Sequence, residues 1–598
     1  MTQKLKTIIF LFLILILTSA AFLPSLKNGF VNWDDDVYVT ENPLIKNLSW
    51  GSVKEIFSSF HQTNYHPLAL FSYALEYHFF GLNPRAYHAT NLILHLFNCL
   101  LVFWLIWLIR GRLTAAFIVA LLFGIHPLHV ESVAWVAERR DVLYAAFFLS
   151  SLVAYVYYIR ERKRHYYWLS ISGFILSLLS KAMAVSLPFL LLLLDWQCGK
   201  RINRESLREK IPFFALAAIF AAATLLARQG ADVLSIDKLT MLYSNLCLAG
   251  YGPLFYIIKT FLPFKLSCVY PYGQNDIGIF KVIFFFSPAL LMALLVATFS
   301  LRNLRKRIAF GALFYLICLS PAIIQMLPAT QPEFIVADRY FYLASIGIFL
   351  LLADGLSWLY ARSKRYARML RAAVLLIFPI ILSVLAALTW NRCLVWRDSV
   401  SLWTDVLARG PNPNSATAYI NRGTFYLERK EYNKAYVDFM QAFKIEPNAY
   451  EPYFNLASLN NSRGHYETAL WLCGKALEIN PGYLKAYNLL VAIYGKMGRH
   501  QEAVDVCRQL VERYPAYAQG YTDLCSAYGN TGNYTEAIKA CQQALEIEPT
   551  LAVAHLNLAA AYYYLKQYDL AIKHCDQAVS LGFPVCPKFL EQLKPHRK

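Results

Sequence analysis

KLKTIIFLFLILILTSAAFLPSLKNGFVNWDDDVYVTENP, Lys4 to Pro43, runs from two lysines through an unbroken apolar stretch to three consecutive aspartates, Asp34, Asp35 and Asp36. Residues 4–24 are long and apolar enough to cross a bilayer. TSAA within them would pass as a signal-peptide cleavage site, but the many apolar runs that follow favour an uncleaved first membrane helix. Charge is costly beside lipid, so the aspartates raise two questions: which side they face, and what else gathers there.

The rest of the chain answers in outline. It has 598 residues, 57% of them hydrophobic, and a mean hydropathy of +0.38. That apolar content is concentrated before residue 393, which implies a multi-pass membrane domain over 1–392. Further spans are expected at 87–109, 113–136, 141–159, 166–183, 184–196 (short), 211–228, 279–299, 308–328, 339–360 and 369–390. The net charge of +19 would suit nucleic acid, but the basic clusters RGR (110–112), RERKR (160–164), KRINRESLREK (200–210), RNLRKR (302–307) and ARSKRYARMLR (361–371) sit between apolar runs. Placed in the cytoplasm, they follow the positive-inside rule, so the charge reports topology and no nucleic-acid partner is expected. To keep RNLRKR inside, 241–262 is read as a re-entrant or broken segment interrupted at Gly252-Pro253. This gives about eleven crossings, an external loop 28–86 and an external C-terminus. In that loop Ser52 and Glu55 have capping-box spacing, opening an amphipathic helix.

Beyond a linker, 393–415, the sequence repeats. Pro413, Pro447, Pro481, Pro515 and Pro549 are spaced by 34 residues, as are Tyr419, Tyr453, Tyr487, Tyr521 and His555, and Ala435, Ala469, Ala503, Ala537 and Ala571. Thirty-four residues is the tetratricopeptide (TPR) period, one aromatic-bearing helix packing on an Ala-bearing one. Five repeats are expected over 416–583, with a tail at 584–598, making the fold class all-α: a polytopic helical domain followed by an α-solenoid. Cys473, Cys507, Cys541 and Cys575 share one repeat position and read as small core residues; twelve cysteines in so long a chain do not suggest a disulfide framework. Counted from the first residue of each repeat, position six is Asn421, Asn455, Leu489, Asp523 and Asn557, with Asn488 one place before Leu489. These side chains are expected to line the concave groove as a polar ladder suited to an extended peptide; capping or solvating the helix is the plainer reading.

Two polar groups carry the chemistry. Asp34 and Asp35 lie close enough to a low-dielectric region to serve as a general base, with Asp36 beside them. A solvated acidic loop is the plain alternative, and a divalent cation held by Asp34, Asp35 and Asp36 the competing functional one; otherwise no cofactor or metal is expected. The second group, HPLHVESVAWVAERRD (126–141), places His126, His129, Glu131, Arg139, Arg140 and Asp141 at the external surface. Cations there run against the topology rule, and a membrane-bound anion would explain Arg139, Arg140, Lys181 and Arg339, since guanidinium matches phosphate. Snorkelling or pairing with a carboxylate is the bland reading for each. His126-x-x-His129 lacks a third zinc ligand. An external base beside several cations describes transfer from a lipid-linked phosphate donor.

FVNWDDDVYVTENP, NYHPLALFSYALEYHFFGLNPRAYHATNLILHL, FGIHPLHVESVAWVAERRDVL, LLSKAMAVSLPFLLLLLDW and ADRYFYLASIGIFL, followed by TPR repeats, resemble the bacterial relatives of the transmembrane-and-TPR protein O-mannosyltransferases, members of the GT-C glycosyltransferases. The resemblance implies inverting transfer of a sugar, mannose by implication, from a polyprenyl-phosphate donor to Ser or Thr of exported proteins at the inner (cytoplasmic) membrane of a bacterium. The family's paired acids fall on Asp34 and Asp35, and Asp36 is additional. His66-Pro67 stands where animal relatives read Arg-Pro, and Lys181-Ala182 where they read Lys-Glu. Two other classes stay open from sequence: a non-enzymatic TPR scaffold for envelope proteins, and a GT-C transferase acting on a lipid or polysaccharide. The number of spans speaks against the first and the repeats against the second.

Overall fold

The computed structural model describes residues 2–60, 64–227, 238–270, 279–300, 305–326, 336–366, 368–409 and 414–597. Every regular element among them is helical, and the chain divides into two compact units, Met1–Pro413 and Asn414–Lys598.

In the first unit, local sequence sets the helix ends. Asn83 caps Pro84–Arg110 through its side chain, Pro84 supplies the first helical φ, and Gly111 closes the helix at φ 66°. The expected span 113–136 instead stops at Ile125, because Pro127 drives His126 into extended backbone. The chain bends by 56° between Leu113–Ile125 and Pro127–Ala134, then passes through Val136–Glu138 before Arg139–Glu161 begins. The charged motif is therefore a folded turn rather than the rim of a straight span. Lys181 sits in extended backbone between Arg164–Ser180 and the short turn Ala182–Ser186.

Three expectations are corrected here. Lys238–Phe261 is one helix that runs through Gly252-Pro253, not a segment broken there. Gly250 lets it approach its neighbour: a Cβ at that position would lie 2.7 Å from the Pro288 nitrogen. The cap of the loop helix Trp50–Ser58 is Ser49, whose hydroxyl accepts from the Ser52 N–H, so Ser52 is inside the helix and no Ser52/Glu55 box forms. Of the expected linker, residues through Val395 continue a long helix and Ser399–Arg409 forms another, both within the first unit. By length and composition, five helices among the described residues can cross a membrane, or six if the bent pair at 113–134 counts once; three shorter apolar helices accompany them. Eleven crossings therefore stay an expectation from sequence. The loops 229–240, 263–278 and 332–340, and the cluster RNLRKR, lie in part outside the described residues.

The second unit is five helix pairs, from Ala416–Glu428 with Tyr432–Ile445 to Ala552–Tyr564 with Tyr568–Ser580. Ala435, Ala469, Ala503, Ala537 and Ala571 are buried at the pair contacts, as the repeat predicts. Cys541 departs from its expected role: it forms a disulfide with Cys525 on the other helix of its own repeat, while Cys473, Cys507 and Cys575 are free and buried. Both partners of such a link sit in one repeat, so a comparison of equivalent cysteines between repeats could not reveal it. The expected tail contains the helix Pro587–Leu593, whose Leu593 is fully buried and whose Phe589 and Leu590 are partly buried against the last repeats. It closes the apolar end of the array.

Candidate active site

The acidic loop is held by residues near the far end of the first unit. Asn28 Nδ2 donates to the Cys393 carbonyl (3.0 Å) and the Gly29 N–H to that of Arg397 (2.8 Å). The Asn32 N–H donates to Ser399 Oγ (2.9 Å), while Trp403 Nε1 donates to Asn32 Oδ1 (2.8 Å). Trp33 packs edge-on against Trp403, with ring centroids 5.0 Å apart.

This anchoring separates neighbouring aspartates. Asp35 is 1% exposed, and both its oxygens are taken: Oδ2 by the Val31 N–H (2.9 Å), Oδ1 by the Ala137 N–H (2.8 Å). Burial outweighs those two bonds and pushes its carboxyl up to about 8. Asp34 takes a left-handed conformation, φ 71°, which turns its side chain out, 45% exposed, with Oδ2 3.6 Å from Arg140. Desolvation raises its pKa and the Arg140 guanidinium opposes the rise. Asp36 opens the short helical turn Asp36–Thr40. Among the described residues no three His, Cys, Asp or Glu side chains gather closely enough to hold a metal ion, these aspartates included.

Arg140 leads into a cavity of about 190 Å³, lined by His66, Glu138, Arg140, Lys181, Arg339 and Tyr340 among others. Glu138, which the sequence reading passed over, is 0% exposed and central. Its Oε1 accepts from Arg140 Nε (3.0 Å) and lies 3.5 Å from Arg339 Nε, while its Oε2 accepts from Lys181 Nζ (3.1 Å). Each cation also has a carboxylate of its own: Asp34 for Arg140, Asp141 for Lys181, and Glu131 for Arg339. Arg140 additionally lies over the Tyr38 ring, which packs against His66. Three of the four expected phosphate-binding cations thus meet at one cavity, and His66 joins them.

Arg139 does not. Fully buried, its guanidinium pairs with Glu76, donates to Asn91 Oδ1 and the Tyr87 carbonyl (2.9 Å each), and lies over Tyr73. Adjacent helical residues diverge by about 100°, so Arg140 facing the cavity turns Arg139 into the protein. His126 and His129 are buried as well. His126 Nδ1 accepts from the Leu128 N–H and its Nε2 lies 3.1 Å from the Thr260 carbonyl; His129 Nδ1 lies 2.7 Å from that of Phe123. They brace the turn and do not line the cavity. Glu131 serves the site indirectly, through Arg339.

In the repeat unit, the expected ladder residues are half-buried on the first helix of each pair, and several bond internally. Asn455 Nδ2 donates to the Glu451 carbonyl (2.8 Å), Asn488 Nδ2 to Tyr517 Oη (3.2 Å), and Asn557 Nδ2 to the Thr522 carbonyl (3.5 Å). Asp523 accepts from Gln519 (2.8 Å), and Asn421 occupies the equivalent place in the first repeat.

Comparison with known proteins follows the same division. Tetratricopeptide-repeat family descriptions match residues 416–449, 484–517, 518–551 and 552–581. The C-terminal unit is a TPR array. Solved structures similar to this chain include MamA from Desulfovibrio magneticus (23% identical, 28% of this chain and 94% of that one, TM-score 0.25) and the TPR protein YrrB (19%, 30% and 93%, TM-score 0.25). Over a longer stretch the chain is homologous to proteins named protein O-mannosyl-transferases. One from Caenorhabditis elegans is 24% identical over 73% of this chain and 63% of its own length. Tmtc3 of Drosophila melanogaster is 25% identical over 68% and 51%, and human TMTC4 is 24% identical over 60% and 55%. The chain thus spans between half and two thirds of these relatives.

Proposed function

We propose that the protein is a glycosyltransferase that moves mannose from a polyprenyl-phosphate donor to Ser or Thr of exported proteins. The homologues' names point to the sugar and the class of acceptor. The observation that carries the reading is the convergence of Arg140, Lys181 and Arg339 on one cavity, with half-buried Asp34 3.6 Å from the first of them. The donor's phosphate would lie against those cations. The acceptor hydroxyl oxygen attacks the anomeric carbon as its proton passes to Asp34, the bond from that carbon to the phosphate oxygen breaks, and the electron pair leaves with the phosphate. Asp35, both oxygens occupied, acts as the strut that aims Asp34. The scheme needs no metal or other cofactor; a divalent cation at Asp34, Asp35 and Asp36 is the variant that chelation distinguishes. A bacterial inner membrane with the repeats on its outer side fits the basic connectors, and the Cys525–Cys541 disulfide fits an oxidising compartment. The half-buried Asn421, Asn455, Asn488, Asp523 and Asn557 offer an extended acceptor segment a polar path along the repeats.

The test is transfer from a synthetic polyprenyl-phosphate mannose to an acceptor peptide by purified protein in detergent. Asp34→Asn should lower turnover by about 10²–10⁴-fold in a folded protein; near-normal turnover would remove Asp34 from the mechanism. Loss of activity in EDTA, with recovery in Mg or Mn, would favour the metal variant. Protease cleavage of the repeats only from the cytoplasmic side would reverse the assigned orientation.

A further inference from the structure

Glu138 has no role in the scheme above, although it is the most highly connected group at the cavity. It is sealed from solvent, while the cations around it are 13% (Arg140), 15% (Lys181) and 18% (Arg339) exposed at their side chains. Glu138 lines the cavity with its side chain fully buried, so a ligand entering there meets chiefly the more open cations. Each cation already has a carboxylate of its own, so Glu138 is not required to neutralise any one of them. With Glu138 counted, three cations face four carboxylates.

That balance is unusual for a phosphate site, and the proposed reaction supplies a reason for it. The donor phosphodiester carries one negative charge. When the bond to the anomeric carbon breaks, the electron pair stays on phosphorus-bound oxygen, and the spent lipid is a monoester with a charge near −2 at neutral pH. With only Asp34, Asp141 and Glu131 opposing them, the three cations would bind this product more tightly than the donor and stall the cycle. A fixed anion behind them opposes the more highly charged ligand more strongly, and also holds the three head groups in place before the donor arrives.

Resting on the function proposed above, we infer that Glu138 is a positioning residue and resident counter-anion. It arranges Arg140, Lys181 and Arg339 for the donor phosphate and limits affinity for the phosphate of the spent lipid, so that the product leaves.

The experiment measures binding of undecaprenyl phosphate and of its methyl phosphodiester to the full chain in detergent, beside single- and multiple-turnover transfer. Wild type should bind the two lipids within about threefold of each other. Glu138→Gln, which keeps the side chain's shape, should bind the monoester about tenfold tighter and the diester far less so. Its first turnover should survive better than its steady-state rate, giving a burst. Glu138→Asp should fall between the two. A purely structural role would weaken both lipids and slow the first turnover equally. A folded Glu138→Gln that binds the monoester no tighter than wild type overturns the inference. Should the Gln variant fail to fold, wild type decides alone: a monoester preference of tenfold or more over the diester is equally fatal. If wild type binds neither lipid, the proposed function fails, and the inference with it.

Discussion

The two units are held together over very different chain distances. In the repeat array the defining contacts join neighbours: Cys525 meets Cys541 across 16 residues, and Arg422 pairs with Asp438 across the same interval. In the membrane unit the polar contacts that define the site join distant segments. Arg339 reaches Glu131 across 208 residues, the Ala137 N–H reaches Asp35 across 102, and Trp403 reaches Asn32 across 371. An array of local contacts tolerates damage one repeat at a time, whereas a site closed by long-range contacts depends on all of them together.

Four changes test that contrast, beginning with the largest effect. Arg139→Met strands Glu76 as a buried, unpaired charge and should destabilise the membrane unit by about 3–5 kcal/mol. Adding Glu76→Gln should recover part of the loss in thermal unfolding; full stability of the single variant would show that the pair is dispensable. Next, Cys525→Ser should cost the array about 3 kcal/mol, the scale for a loop of this size. The loss should be confined to residues near 518–551 in hydrogen exchange, and a loss spread over the membrane unit would break the comparison.

The third is a pH effect. Asp35 holds its proton up to about 8 when folded and loses it near 4 when unfolded. The folded state binds the extra proton between those values, so its contribution to stability is complete below pH 4 and is lost as pH rises through 8. The melting temperature of the membrane unit should therefore fall from pH 5 to pH 9, and fall less steeply in Asp35→Asn. An unchanged slope in that variant would place the titration elsewhere. The smallest effect is expected from Trp403→Phe, which removes the indole donor to Asn32 at a cost of about 1 kcal/mol. Turnover should fall a few-fold with donor affinity intact; lost donor affinity instead would show that the loop anchor also shapes the cation cavity.

The same difference in range explains what could be read from the sequence. A 34-residue period repeats its signal five times, so the array and its buried alanines were legible. Its caps and cross-link, each present once, were not. In the membrane unit the acidic triplet and the external cations stood out by charge against an apolar background. Sequence could not show that Asp34 is half-open to solvent and Asp35 buried, because a single left-handed residue decides it. Nor could it choose between Arg139 and Arg140, which one helical step sends to opposite surroundings. Glu138 was hidden by its own neighbours: beside two arginines it reads as a local ion pair, and only folding brings Lys181 and Arg339 to it. Asn32, Ser399 and Trp403 carry no charge and lie at opposite ends of the unit, so nothing in the sequence links them.

The bond from Trp403 to Asn32 also sets a clock on synthesis. The acidic loop emerges early, but one of its anchors is encoded 371 residues later. At roughly 5–20 residues per second, about 20–75 s separate the two during translation. Through that interval the nascent chain carries its carboxylates beside the membrane without the scaffold that orients them. A chain that stalls or is cut before residue 403 would carry the aspartates without this anchor, and only completion of the first unit would supply it.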